Sequence, residues 1–101
     1  MDFKNSETKS NLMRAFAGES QARNRYTIAA GQAREEKLYV VEAVFRFTAE
    51  QEKEHAEVFY KYLEKASGEN IAIDGAYPVD ISKDAAALLR MAQHNEYEEH
   101  G

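Results

Sequence analysis

Two stretches of three-and-four spacing, separated by a few residues, constrain most strongly what this chain can fold into. Leu12, Phe16, Glu19, Ala22, Tyr26, Ala29 and Ala33 recur at the period of one helix face. Val41, Val44, Phe45, Thr48, Glu52, His55, Phe59 and Tyr62 form a second such stripe. The only proline is Pro78, so nothing in either stretch breaks a helix. Asn5, Ser6, Thr8 and Ser10 offer N-caps for the first helix, which is expected to run to about Lys37. The second is expected over 39–66 and is stopped by Ser67 and Gly68, with Gly68 in a left-handed cap. Two helices joined only by Glu35 to Leu38 must pack antiparallel.

Residues 67–81, punctuated by Gly75 and Pro78, read as a connector. It is long for a helix–helix link, and its length fits a segment that spans the end of a bundle and permits a crossover. Ser82 is the expected N-cap of a third helix, with Asp84 in its first turn. Ala85, Leu88, Leu89, Ala92, Glu96 and Glu99 continue one face of it. The sequence thus predicts an all-α chain: an antiparallel hairpin plus a shorter third helix, in a single domain over residues 1–101. Three unequal helices leave one side of a bundle open.

The apolar stripes contain residues that do not belong in a plain core. Leu12, Glu19, Tyr26 and Ala33 lie seven apart, as do Val41, Thr48, His55 and Tyr62. Glu19 and His55 therefore occupy seam positions, with Glu52 one turn before His55 on the same face. Glu96 and Glu99 repeat that spacing on the third helix. All five are expected to point inward. Buried carboxylates gathered together repel one another and lose hydration. The inward faces offer almost no Lys or Arg to offset this, and a pair of divalent cations would. Three residues of helix rise ~4.5 Å, comparable to the ~3.5–4 Å between the ions of two-metal sites. Di-iron carboxylate bundles use a Glu from each of two helices and a Glu-x-x-His from each of the other two. Here Glu19 is a lone Glu, and Glu52-Lys53-Glu54-His55 is one Glu-x-x-His.

The chain contains no cysteine, which excludes disulfides, Cys-ligated zinc and iron–sulfur clusters within it. Oxygen and imidazole donors suit iron, with manganese or zinc as substitutes. A net charge of −5 without a basic stripe disfavours nucleic acid. No apolar run approaches the ~20 residues of a membrane span. The first ten residues lack the apolar stretch of a secretion signal, and a cytoplasmic location is expected.

The run from Asn11 to Tyr26, NLMRAFAGESQARNRY, resembles the first helix of rubrerythrins, which are ferritin-like di-iron proteins. Glu52-Lys53-Glu54-His55-Ala56, followed by Phe59-Tyr60, resembles their second, and 85–100 the start of their third. The resemblance implies that Glu19, Glu52, His55, Glu96 and Glu99 are iron ligands. It implies that Glu52 bridges two irons and that Glu99 replaces His55 on oxidation. Tyr26 matches a tyrosine that hydrogen-bonds a ligand carboxylate. The implied activity is reduction of hydrogen peroxide, a defence against oxidative stress. A ferroxidase or iron store, and a non-catalytic helical assembly module, are the alternatives.

Two features depart from the family pattern. Without cysteine there is no rubredoxin domain here, so electrons are expected from a separate donor such as rubredoxin. The family's fourth helix, with its second Glu and His, is also missing. Two copies, as in encapsulated ferritins, would restore four Glu and two His across a two-fold axis, giving a homodimer or higher oligomer. Otherwise the chain is incomplete, and the fourth helix comes from a missing segment or a swapped partner. The second is favoured, because the third helix keeps its Glu pair. His94 and His100 are expected to be exposed, and Arg23, Arg25 and Arg34 solvated. Phe16, Phe45, Phe59 and Tyr62 are expected in the core, with Met13 and Met91 as packing residues.

Overall fold

A computed structural model describes residues 7–100, with backbone alone for 97, 99 and 100. The described residues form three α-helices and no strand. Helix α1 spans Glu7–Glu35, α2 Tyr39–Tyr62, and α3 Ala85–His100, with a 3-10 turn at Glu64–Ala66 after α2. The expected caps at Asn5 and Ser6 lie outside the described residues.

The junction between α1 and α2 closes in a hydrogen-bonded reversal. Leu38 N–H donates to the Ala33 carbonyl at 2.9 Å and Lys37 N–H to that of Arg34 at 3.0 Å. That pair defines a Schellman cap, whose turning residue must be left-handed. Lys37 fills the position with φ of 61°, where glycine is the usual occupant. Gly68, with φ of 93°, ends the α2 region as its sequence position predicts.

The hairpin closes on small side chains. Ala22, Ala29, Ala30 and Ala33 of α1 are buried, as are Phe45, Ala49 and Ala56 of α2. Tyr26 and Phe45 stack with ring centroids 6.2 Å apart. Leu88 of α3 joins this cluster, with Leu89, Met91 and Ala92 packed around it.

The connector extends to residue 84, three residues beyond expectation, and it does not cross the end of a bundle. It runs the length of α1, tied by Lys9–Glu69 at 3.0 Å, Arg14–Asp74 at 3.0 Å and Arg25–Asp80 at 3.6 Å. The hydrogen bond from Arg14 holds the exposed Asp74 carboxyl below its ordinary pKa. From Lys9 to Gln32 the helix rises about 35 Å, and an extended chain of the connector's length reaches further than that. The strand-like path returns the chain to the α1–α2 turn, where α3 begins. Gln32 Nε2 donates to the Lys83 carbonyl at 3.0 Å, and Ala85 N–H donates to Glu36 Oε2 at 2.8 Å. Helix α3 therefore runs antiparallel to α1 and parallel to α2, which is a crossover.

The N-cap of α3 differs from expectation. Asp84 accepts from Ala86 N–H at 3.0 Å, and Ser82 Oγ accepts from Asp84 N–H one step earlier. Asp84 stands directly before α3 and so meets its second amide, which makes it the cap. Tyr62, expected in the core, is 65% exposed, and Val40, Val44, Phe47 and Val58 also lie open on α2. Val44 lies at the edge of this open face, beside Leu89 and Ala92 of α3. No described helix is long and apolar enough to cross a membrane.

Candidate metal centre

Antiparallel packing sets the middle of α1 against the C-terminal half of α2. This juxtaposition brings Glu19 opposite Glu52 and His55, which lie one turn apart. Each offers a ligand atom, and the three atoms lie within 4.8 Å of one another. Glu19 Oε2 stands 3.5 Å from His55 Nδ1. Glu19 and Glu52 are half-buried, while the His55 side chain is 60% exposed. The inward orientation expected of His55 is thus only partial. Its face of α2 is the uncovered one, and burial there requires a further element.

The donors open into a cleft of about 580 Å³, whose walls include Tyr26, Phe45, Leu89, Ala92 and Glu96. Tyr26 is 4% exposed and donates its phenol hydrogen to Glu96 Oε1 at 3.1 Å. Glu96 also lines the cleft, outside the three-residue cluster. The backbone of α3 carries Glu99 one turn further on, but its side chain lies outside the described residues, as does that of His100. His94 is exposed as expected.

Oxygen and nitrogen ligands stand ~2.0–2.2 Å from a divalent ion, so donors on its opposite sides are up to about 4.4 Å apart. The observed cluster, with its atoms within 4.8 Å of one another, has to close somewhat to hold one ion. Two carboxylates facing each other across a cleft are stabilised by a cation between them. The donor set, all oxygen and imidazole, fits iron or manganese. Glu96 supplies a further carboxylate to the lining of the same cleft.

Arg25 was expected in solvent and is not there. Its side chain is 18% exposed, and its guanidinium lies 5.6 Å from the Tyr26 ring centroid and faces Asp80. Asp80 Oδ2 also accepts from Asn95 Nδ2 at 2.6 Å. Periodicity could not reveal this group, because Asp80 lies in an irregular segment and meets α1 and α3 only after the crossover. Arg34 is exposed as expected, and Arg23 is half-buried.

A helical hairpin with a crossover third helix, gathering carboxylates and an imidazole that could hold a metal, has the architecture of the ferritin-like class. Within that class the chain belongs to the rubrerythrin family, a di-iron family, whose model matches residues 10–101. It is 46% identical over 96 residues to a rubrerythrin of Porphyromonas gingivalis. It is 44% identical over 97 residues to one of Clostridium perfringens, and 42% over 99 residues to one of Nitratidesulfovibrio vulgaris. Each alignment covers 95% of this chain but 46–50% of the relative. The chain thus spans about half the length of the curated relatives it matches.

Proposed function

We propose that the chain forms part of a non-haem di-iron peroxidase that reduces hydrogen peroxide to water. The observation that carries this is the convergence of Glu19, Glu52 and His55 within 4.8 Å, in a chain of the rubrerythrin family. Glu96 and Glu99 complete the carboxylate set on this side. Two ferrous ions, when bound, supply the two electrons that with two protons convert H₂O₂ into two waters.

The protein's own residues fix where this happens. Glu52 and His55, one turn apart on a rigid helix, set the spacing of the ligand atoms. Tyr26 holds the Glu96 carboxylate at one oxygen and prevents it from swinging into the cleft at will. The exposed edge of His55 is the side on which the remaining ligands have to be supplied. The opposite ligands come from a further helix, supplied by a segment beyond these residues, by a swapped partner or by a second copy of the chain. These 101 residues hold no cysteine to ligate the iron of a rubredoxin-type donor. Electrons come from a rubredoxin-type donor outside these residues, in the cytoplasm.

The test is anaerobic loading with ferrous iron, a count of iron per chain, and peroxide consumption with added rubredoxin and its reductase. Peroxide-dependent turnover that Glu52→Ala abolishes together with iron binding is the expected result. Unchanged iron stoichiometry in Glu52→Ala overturns the ligand assignment. Rapid oxidation of ferrous iron by oxygen without peroxide turnover would instead make the chain a ferroxidase.

A further inference from the structure

Beyond Ala92, α3 loses its apolar grip on the hairpin. Gln93, His94, Asn95 and Glu96 are all polar, and His94 faces solvent. Two hydrogen bonds tie this stretch to the rest of the described chain. One joins Glu96 to Tyr26, at the cleft. The other joins Asn95 to Asp80, at 2.6 Å. Adjacent helical residues point roughly 100° apart, so these two bonds pull in different directions. Together they fix both the distance of α3 from α1 and its rotation about its own axis. They extend to the polar end of α3 the register that Leu88, Leu89 and Ala92 set nearer its start.

Asp80 is itself held. Arg25 Nη1 lies 3.6 Å from the same oxygen that Asn95 uses, and both side chains are about four-fifths buried. Arg25 Nε donates to Gln21 Oε1 at 2.7 Å, and Gln21 donates to the Gly18 carbonyl at 2.8 Å. The chain of contacts runs back along α1 to the residue before Glu19. It therefore begins beside one candidate ligand and ends beside another.

We infer that Arg25, Asp80 and Asn95 form a clamp that positions the Glu96 carboxylate, with Asp80 as its central residue. The connector is then more than a strap. It carries a side chain that meets both α1, at Arg25, and α3, at Asn95. This inference rests on the reading of Glu96 as part of the metal centre. Asp80 acts through Glu96 and touches no ligand atom of the cluster, so it is a positioning residue.

A double-mutant cycle separates positioning from general loosening of the fold. Cobalt(II) affinity is measured by titration for the full chain and for Asp80→Ala, Glu96→Gln and the pair. Each single change is expected to weaken cobalt binding about tenfold, and the double variant no further than either. Asp80→Asn, which keeps an oxygen acceptor for Asn95, is expected to recover most of the loss. In the metal-free chain, Asp80→Ala is expected to speed amide exchange at 93–96 while 86–90 stay unchanged. Cobalt binding that is untouched by Asp80→Ala, or effects of the two substitutions that multiply, would overturn the clamp and leave the metal reading standing. A chain that binds no cobalt with every residue in place would overturn the metal reading. Amide exchange then decides the clamp alone, and unaltered exchange at 93–96 overturns it.

Discussion

At the scale of single residues, the candidate site is a problem of charge placed by helix geometry. Glu19 and His55 were legible because a seven-residue interval returns a side chain to nearly the same face, and antiparallel pairing then sets one face against the other. Tyr26 was legible for the same reason, but its partner was not. Only the crossover of α3 brings Glu96 to the phenol, 3.1 Å away. The phenol is buried and its oxygen has a defined acceptor, so Tyr26→Phe removes one hydrogen bond and leaves the ring packed on Phe45. The expected cost is about 1 kcal/mol of unfolding free energy, read from urea denaturation, with helical circular dichroism unchanged. Amide exchange should quicken in α3 and not in α1. A loss of several kcal/mol would mean that the ring, and not the hydroxyl, had been disturbed. Arg25 shows the converse limit. A sequence places it on α1 but gives no sign of Asp80, because no period links a helix to an extended segment.

At the scale of elements, the hairpin was readable from spacing alone, yet its turn was not. A Schellman cap normally announces itself by glycine, and here the left-handed residue is Lys37. Its side chain is exposed, so nothing there opposes a smaller residue. A non-glycine residue in this conformation costs about 1–2 kcal/mol, part of which glycine returns as unfolded-chain entropy. Lys37→Gly is therefore expected to stabilise the fold by about 0.5–1 kcal/mol, measured as a higher denaturation midpoint at unchanged slope. A destabilised Lys37→Gly would show that the lysine makes a contact the backbone geometry does not require. The connector was harder still to read. Its length signalled a crossover, but its route along α1 depends on Glu69, Asp74 and Asp80 meeting Lys9, Arg14 and Arg25. Such pairings between distant residues leave no local pattern. The start of α3 was displaced for a similar reason, since the Glu36 carboxylate that accepts its first amide belongs to another turn.

At the scale of the whole molecule, the described chain is a rod 51 Å long and 21 Å across whose core is largely alanine. Alanine lets helices approach closely but buries little apolar area per residue, so the hydrophobic contribution is thin. Val40, Phe47, Val58 and Tyr62 add nothing to it while their face of α2 stays open. Meanwhile Glu19 and Glu52 each place a carboxylate oxygen within 4.8 Å of the other. A divalent ion bound by the folded chain alone then stabilises it by mass action, by about 2.7 kcal/mol at one hundred times the dissociation constant. For a domain of this size each kcal/mol moves the melting midpoint by about 4–8 °C, so manganese(II) or anaerobic ferrous iron should raise it by about 10–20 °C. A chelator should reverse the shift. Magnesium, which gives up its water reluctantly, should reproduce little of it. Glu52→Ala should abolish the shift and leave the metal-free midpoint near or above that of the parent, because it relieves a carboxylate from its neighbour. Glu54→Ala, on the exposed side of the same turn, should shift with metal as the parent does. Equal shifts in the parent and Glu52→Ala would mean that cations bind elsewhere on this acidic chain, and that the convergence on the cleft is not what holds them.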